Sequence, residues 1–166
     1  MFEMVPHDGV GPLKLGMSPA DVATILGPPT ETADPSAFSF LTPERRAMFR
    51  GQQIEKRRKD KSFKLIDLVY FDGRLVIINI NGKADNVHVG GHLLAGDRMS
   101  LLNHVAKLDR DIFVKSENYL FLTQGLIISR PSNRKDINYG QVVDVAFKRR
   151  FLEFEFYKAH VGPILP

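Results

Sequence analysis

Residues 11–29, GPLKLGMSPADVATILGPP, contain a complete set of signals for the start and end of a short helix. The hydroxyl of Ser18 can accept a hydrogen bond from an exposed backbone N–H, and Pro19 already has the φ of a first helical residue. Gly27 and the prolines after it prevent the helix from continuing. The apolar residues that share one face between these ends are Val22, Ile25 and Leu26. The stretch therefore predicts an amphipathic helix over residues 19–26, packed on another part of the chain.

The same helix start resembles that of a known family. Its residues Gly16-Met17-Ser18, Asp21-Val22 and Leu26-Gly27-Pro28 are similar to the GMSxx(D/E)VxxxLGxP pattern of small bacterial domains with the β-lactamase-inhibitor-protein-like fold. That group includes outer-membrane lipoproteins, secreted enzyme inhibitors and proteins that look like immunity proteins of interbacterial toxin systems. The resemblance implies two helices on an antiparallel sheet, built from two similar halves. It also implies a protein that binds and blocks a bacterial toxin or effector.

Composition is that of an ordinary globular chain. The 166 residues are 43% hydrophobic and 25% charged, which is enough for one good core in a single domain over residues 1–166. No apolar run approaches the roughly 20 residues of a membrane span. The lack of cysteine excludes disulfides, thiol catalysis and a lipid-bearing cysteine. Because no secretory signal is visible, the cytoplasm is the expected compartment.

The charge is concentrated in one segment. Residues 44–64 contain nine lysines and arginines against three acidic residues, whereas the whole chain has a net charge of +4. We expect this segment to be a basic insertion. The candidate partner-binding residues are Arg45, Arg46, Arg50, Arg57, Arg58 and Lys59 within it, and Tyr70 after it. Three interpretations stay open: a solvated loop, a surface for a protein partner, and a phosphate-binding surface with Phe49, Phe63 and Tyr70 as stacking platforms.

A β-hairpin is predicted from LIDLVYF (65–71), Asp72-Gly73 and RLVIINI (74–80), because Asp-Gly favours a type I′ turn between two β-rich arms. A second helix is predicted over 98–108, with Asp97 as its N-cap. Its apolar side is expected to contain Leu101, Leu102, Val105 and Leu108. Short strands are predicted at 2–5, 37–42, 112–115, 119–122 and 126–129, a polar loop at 130–140, and two alternating apolar runs at 143–147 and 152–156.

The order of helix and hairpin in each half suggests an internal duplication, about 1–82 and 83–166. Together with the resemblance, this predicts an α+β fold in which two helices pack on one face of an antiparallel sheet. Each half would contribute one helix and one hairpin.

No catalytic or metal motif emerges from the chain. His88, His92 and His104 could form a three-imidazole site, but the glycines between the first two favour a loop, so we expect no metal and no cofactor. Glu153 and Glu155 flank Phe154, a spacing more typical of a solvated strand face than of a catalytic pair. No phosphate loop or nucleophile elbow is present.

The sequence thus favours a non-enzymatic protein-binding module, monomeric or dimeric, that resembles an immunity or inhibitor protein and occludes a bacterial toxin or effector. The alternative is a nucleic-acid-associated accessory protein that uses segment 44–64.

Overall fold

The computed structural model describes residues 1–81, 85–129, 138–152 and 157–164, and only the backbone of 138 and 139. Its strands are β1 (Phe2–Val5), β2 (Gly9–Val10), β3 (Leu13–Lys14), β4 (Glu31–Ala33), β5 (Gln52–Asp60), β6 (Lys64–Phe71), β7 (Arg74–Asn81), β8 (Val87–Val89), β9 (His92–Leu93), β10 (Ile112–Lys115), β11 (Asn118–Phe121), β12 (Leu126–Ser129), β13 (Asn138–Val143) and β14 (Lys158–Ala159). Its α-helices are α1 (Pro19–Leu26), α2 (Pro43–Met48), α3 (Arg98–Leu108) and α4 (Val145–Arg149), and a 3₁₀-helix spans Pro35–Ala37.

These strands form two sheets. The larger is antiparallel, with nine strands in the order β14-β10-β11-β12-β13-β7-β6-β5-β4. The smaller has five short strands in the order β3-β2-β1-β8-β9, and its β1–β8 pair is parallel. The strand β4 therefore forms one edge of the large sheet, and β14 forms the other.

The β6–β7 hairpin forms as the sequence predicts. Phe71 pairs with Arg74 across a two-residue turn, in which Asp72 and Gly73 both have positive φ, 48° and 74°. Such a turn matches the twist of the flanking strands. The strand predictions for 2–5, 112–115, 119–122 and 126–129 are also confirmed, with β11 shifted by one residue.

Both capped helices are confirmed at their predicted bounds. The hydroxyl of Ser18 accepts from the backbone N–H of Asp21, whose carboxylate accepts from the backbone N–H of Ser18, so the two residues form a capping box. The side chain of Asp97 caps α3 by accepting from Ser100 N–H. The predicted apolar faces are narrower than expected, because Ile25 is 40% exposed and Leu108 58% exposed.

The core lies mainly on one face of the large sheet. Val22 of α1, together with Leu101 and Val105 of α3, packs with the small sheet against that face, which presents Ile78 and Ile80 from β7. On the opposite face, α4 contributes to a smaller cluster that contains Val76, Phe147 and Phe151. Helices therefore cover parts of both faces.

The predicted fold class, α+β with two helices on one face and two similar helix-hairpin halves, is wrong. Strands dominate the described residues, fourteen of them against four short α-helices. The two regions also differ in order: α1 is followed by β4, the 3₁₀-helix and α2 before any long hairpin, whereas α3 leads directly into β10–β12. The prediction failed because it treated residues 44–64 as a basic insertion and so omitted the nine-residue strand β5.

Several local predictions also need correction. Residues 37–42 form no strand; Ala37 ends the 3₁₀-helix, and residues 38–42 lead to Thr42, the N-cap of α2. Val145 and Phe147 belong to α4 rather than to a strand, since the carboxylate of Asp144 accepts from Phe147 N–H and caps the helix. Of the predicted loop, residues 138–140 belong to β13. The remainder of that loop, most of the run at 152–156, and Glu153 with Glu155 lie outside the described residues.

Candidate binding surface

The segment 44–64 does not form a loop along its length; it contributes most of α2 and the whole of β5. Thr42 caps α2 by accepting from Arg45 N–H, and Pro43 occupies its first turn. Strand β5 then pairs with β6 along its whole length and with β4 on its other side. A nine-residue strand spans roughly 26 Å, so the cations before it and those at its end lie far apart.

The exposed residues around α2 form the first of these groups. None of the six residues of α2, all of which the structure describes, is buried. Arg45, Arg46 and Arg50 are exposed, and Phe40 on the preceding loop is 79% exposed. Met48 is exposed as well. We call these five residues the α2 surface.

The loop that presents Phe40 is held in place by Arg46. The guanidinium donates to the carbonyl of Leu41 through Nε and to that of Ser39 through an η nitrogen, both at 3.0 Å. The Phe40 ring also stacks on Phe38, with centroids 5.4 Å apart. The aromatic ring is thus positioned before any partner arrives, which lowers the entropic cost of binding.

Arg57 and Tyr70, two of the predicted partner-binding residues, are instead buried in the core, 2% and 1% exposed. Both point to Glu55: one Oε of its carboxylate accepts from Arg57 at 2.9 Å and from the Tyr70 hydroxyl at 3.1 Å. Arg57 also donates to the carbonyl of Gly27 at the end of α1. These bonds connect β5, β6 and α1, so both side chains stabilise the fold and neither is exposed as the sequence predicts.

This environment keeps Tyr70 neutral. Burial raises the pKa of its hydroxyl well above the ordinary value of 10, and the Glu55 carboxylate adds to the rise, while Arg57 opposes it. The hydroxyl therefore remains a donor to Glu55 over the physiological pH range.

A polar cleft lies where β5 ends. It has a volume of about 430 Å³ and lies between the C-terminal end of α1 and the β5–β6 turn. Its lining includes the apolar residues Ile25, Leu26 and Pro28 and the charged residues Arg57, Arg58, Lys59, Asp60 and Lys61. We call it the β5-end cleft. Arg58 and Lys59, the remaining predicted binding residues, are exposed here, and Lys59 sits at a bulge with φ of 62°.

A larger cleft of about 740 Å³ lies beside the β6–β7 turn and α4. Several of its polar groups already have partners: a ring nitrogen of His7 lies 2.6 Å from the Thr123 carbonyl, and the Asp144 carboxylate caps α4. The guanidinium of Arg150 lies over the Phe71 ring, 5.5 Å from its centroid. These groups therefore stabilise the fold around the cleft.

The three histidines considered as metal ligands from the sequence are only partly brought together. The rings of His92 and His104 lie 4.7 Å apart, and His88 and His92 are on the paired strands β8 and β9. Within the described ranges, no three His, Cys, Asp or Glu side chains are arranged to hold a metal ion.

The structure thus places three predicted residues, Arg45, Arg46 and Arg50, together on the α2 surface, and Arg58 with Lys59 at the other end of β5. Sequence reasoning missed Phe40 and Met48, because an exposed apolar side chain has no sequence signature. It missed the β5-end cleft because Ile25 and Lys61 come together only when α1 lies beside β5.

No family model, curated protein or solved structure matches this chain. Among the described residues, no helix is both long enough and apolar enough to cross a membrane.

Proposed function

We propose that this protein is a non-enzymatic protein-binding module whose α2 surface docks on the acidic face of another protein. The observation that carries the proposal is the composition of the α2 surface: three arginines, an aromatic ring and a methionine around a helix with no buried residue. Arginine, aromatic residues and methionine are the residue types enriched in protein interfaces. An acidic partner face would complement the three guanidinium groups and speed encounter.

The burial of Phe63 and Tyr70 favours this proposal over nucleic-acid binding. Of the three rings that were candidates for stacking on bases, Phe63 and Tyr70 are 0% and 1% exposed, and Phe49 is half-buried. A surface for single-stranded nucleic acid combines cations with a series of accessible aromatic rings on which successive bases stack. The α2 surface contains one such ring, Phe40. Phosphate contacts alone would give weak, strongly salt-dependent binding.

The kind of partner is suggested by the helix start at Gly16-Met17-Ser18, which resembles that of immunity and inhibitor proteins. We therefore propose a bacterial toxin or effector as the protein that the α2 surface occludes. Occlusion requires only a complementary surface and no catalytic group.

Affinity capture from the source organism tests the proposal, with wild type, R45E/R50E and R110E/K158E as baits. The third bait is the matched control: it has the same change of charge, but Arg110 precedes β10 and Lys158 lies on β14, at the other edge of the large sheet. We expect nuclease treatment to leave one protein bound to wild type and control but not to R45E/R50E. Capture that disappears with nuclease, or that all three baits share, would contradict the proposal.

A growth assay then tests what the captured protein does. If the partner is a toxin, its production should arrest growth, and co-production of the wild-type chain should restore it. R45E/R50E should fail to restore growth while R110E/K158E succeeds. Growth rescue by all three forms would show that α2 is not the occluding surface.

A further inference from the structure

The β5-end cleft lies apart from the α2 surface and has two chemically different walls. One wall is the end of α1 and the loop after it, with the apolar residues Ile25, Leu26 and Pro28. The other is the β5–β6 turn, with Arg58, Lys59 and Lys61. The helical pattern predicts that Ile25 is packed, but its side chain is exposed and lines this cleft.

The cationic wall has an excess of positive charge. Four cations line the cleft; Arg57 is paired with Glu55, which leaves Arg58, Lys59 and Lys61 against the carboxylate of Asp60. That carboxylate is engaged in the turn, where one oxygen accepts from the backbone N–H groups of Ser62 and Phe63 at 2.8 and 2.9 Å. Neither Lys59 nor Lys61 forms an ion pair with a described residue, and Glu31 approaches Arg58 only to 3.9 Å.

Arg57 lines the same cleft from the core side and has an open donor. Two of its nitrogens are engaged by Gly27 and Glu55, but its buried Nε has no hydrogen-bond partner in the described part of the chain. A buried, unsatisfied donor on a charged group is costly and calls for an acceptor. The Nε is covered by protein in the free structure, so an anionic oxygen at this end of the cleft would supply the acceptor once the cleft wall opens around the Nε.

We propose that the β5-end cleft binds a phosphate monoester of a small organic molecule. The phosphate group lies among Arg57, Arg58, Lys59 and Lys61, and the organic group lies on the apolar wall of α1. A dianion with several acceptor oxygens matches cations on several sides better than a carboxylate does, since one arginine can satisfy a carboxylate. A cleft of about 430 Å³ has room for a small ester. This inference goes beyond the proposed function and does not depend on it.

The test is an NMR titration of the full chain with phenyl phosphate at constant ionic strength. Benzoate is the comparison ligand, because it has the same ring but a carboxylate. We expect saturable shifts in the backbone resonances of residues 58–62 and in the Nε–H resonance of Arg57, with benzoate binding about tenfold more weakly. Equal binding of the two ligands, or an Arg57 Nε–H resonance that does not move, would overturn the assignment.

Substitution of the exposed lysines avoids disturbing the buried Arg57 network. K59Q/K61Q should bind phenyl phosphate about tenfold more weakly, because two cations near the phosphate are lost. The matched control K107Q/K158Q, which also replaces two exposed lysines, should bind like wild type. Equal affinity for wild type and K59Q/K61Q would overturn the proposal, as would binding to vesicles rich in acidic phospholipid without binding to phenyl phosphate.

Discussion

Removal of Glu55 should destabilise the protein more than any surface substitution. In Glu55→Ala, the guanidinium of Arg57 stays buried but loses its carboxylate, and Tyr70 loses its acceptor. An uncompensated buried charge costs about 3–5 kcal/mol. That is a large part of the roughly 5–15 kcal/mol by which domains are stable. By comparison, Tyr70→Phe removes one hydrogen bond to a charged group and should cost about 1.5–3 kcal/mol.

The double variant Glu55→Leu/Arg57→Met provides the control. It removes the ion pair and replaces it with apolar side chains, so it should be more stable than Glu55→Ala although it changes two buried residues. Urea unfolding followed by circular dichroism gives the free energy of unfolding for each variant. Our description of a buried network would be wrong if Glu55→Ala unfolded at the wild-type urea concentration, or if the double variant lost more stability than Glu55→Ala.

Three further predictions concern caps, pH and the hairpin turn. Ser18→Ala should lower the free energy of unfolding by about 1 kcal/mol, because the capping box of α1 is lost, and an unchanged urea midpoint would contradict this. Hydrogen bonds from the backbone and hydroxyl of Ser18 hold the pKa of Asp21 below its ordinary value of 3.8. Its contribution to stability is therefore complete above pH 3.8 and is lost as the pH falls through the lowered pKa, so the stability difference between wild type and Asp21→Asn should shrink in acid. A difference that stays constant in acid would count against the capping box. Gly73→Ala should lower the free energy of unfolding by about 1 kcal/mol, because a φ of 74° is unfavourable for alanine. The loss would not come from a clash, since nothing lies within 4 Å of the added methyl group. A fully stable Gly73→Ala would argue against the type I′ turn.

Elements whose signals are local could be predicted from the sequence. The bounds of α1 and α3 follow from Ser18 and Asp97, and those of β6 and β7 follow from Asp72-Gly73, since each signal acts within a few residues. The helix α4 was missed because Val143, Val145 and Phe147 also alternate like a strand. The cap at Asp144 is the local signal that distinguishes a helix from a strand here. A helix of five residues is too short to show a helical pattern of apolar residues.

The architecture depends on pairings between distant residues, which no local pattern encodes. Val143 pairs with Ile77, and this pairing joins β13 to β7 and makes one nine-stranded sheet of two groups of strands. Likewise, β5 was not predicted as a strand because most of its residues are polar or charged. Two of them, Glu55 and Arg57, are buried because they neutralise one another in the core. Of the candidate site, the arginines could be predicted from their density, but which of them would be exposed could not.

The most direct test of the central claim is the association rate of the captured partner with the immobilised chain. The claim is that the α2 surface binds an acidic protein face. We therefore expect R45E/R50E to slow association by about tenfold or more at low salt, with R110E/K158E close to wild type. Wild type should also bind no DNA or RNA oligonucleotide more tightly than about micromolar at physiological salt. Equal association rates for the two double variants, or tight and salt-sensitive nucleic-acid binding that R45E/R50E abolishes, would contradict the claim.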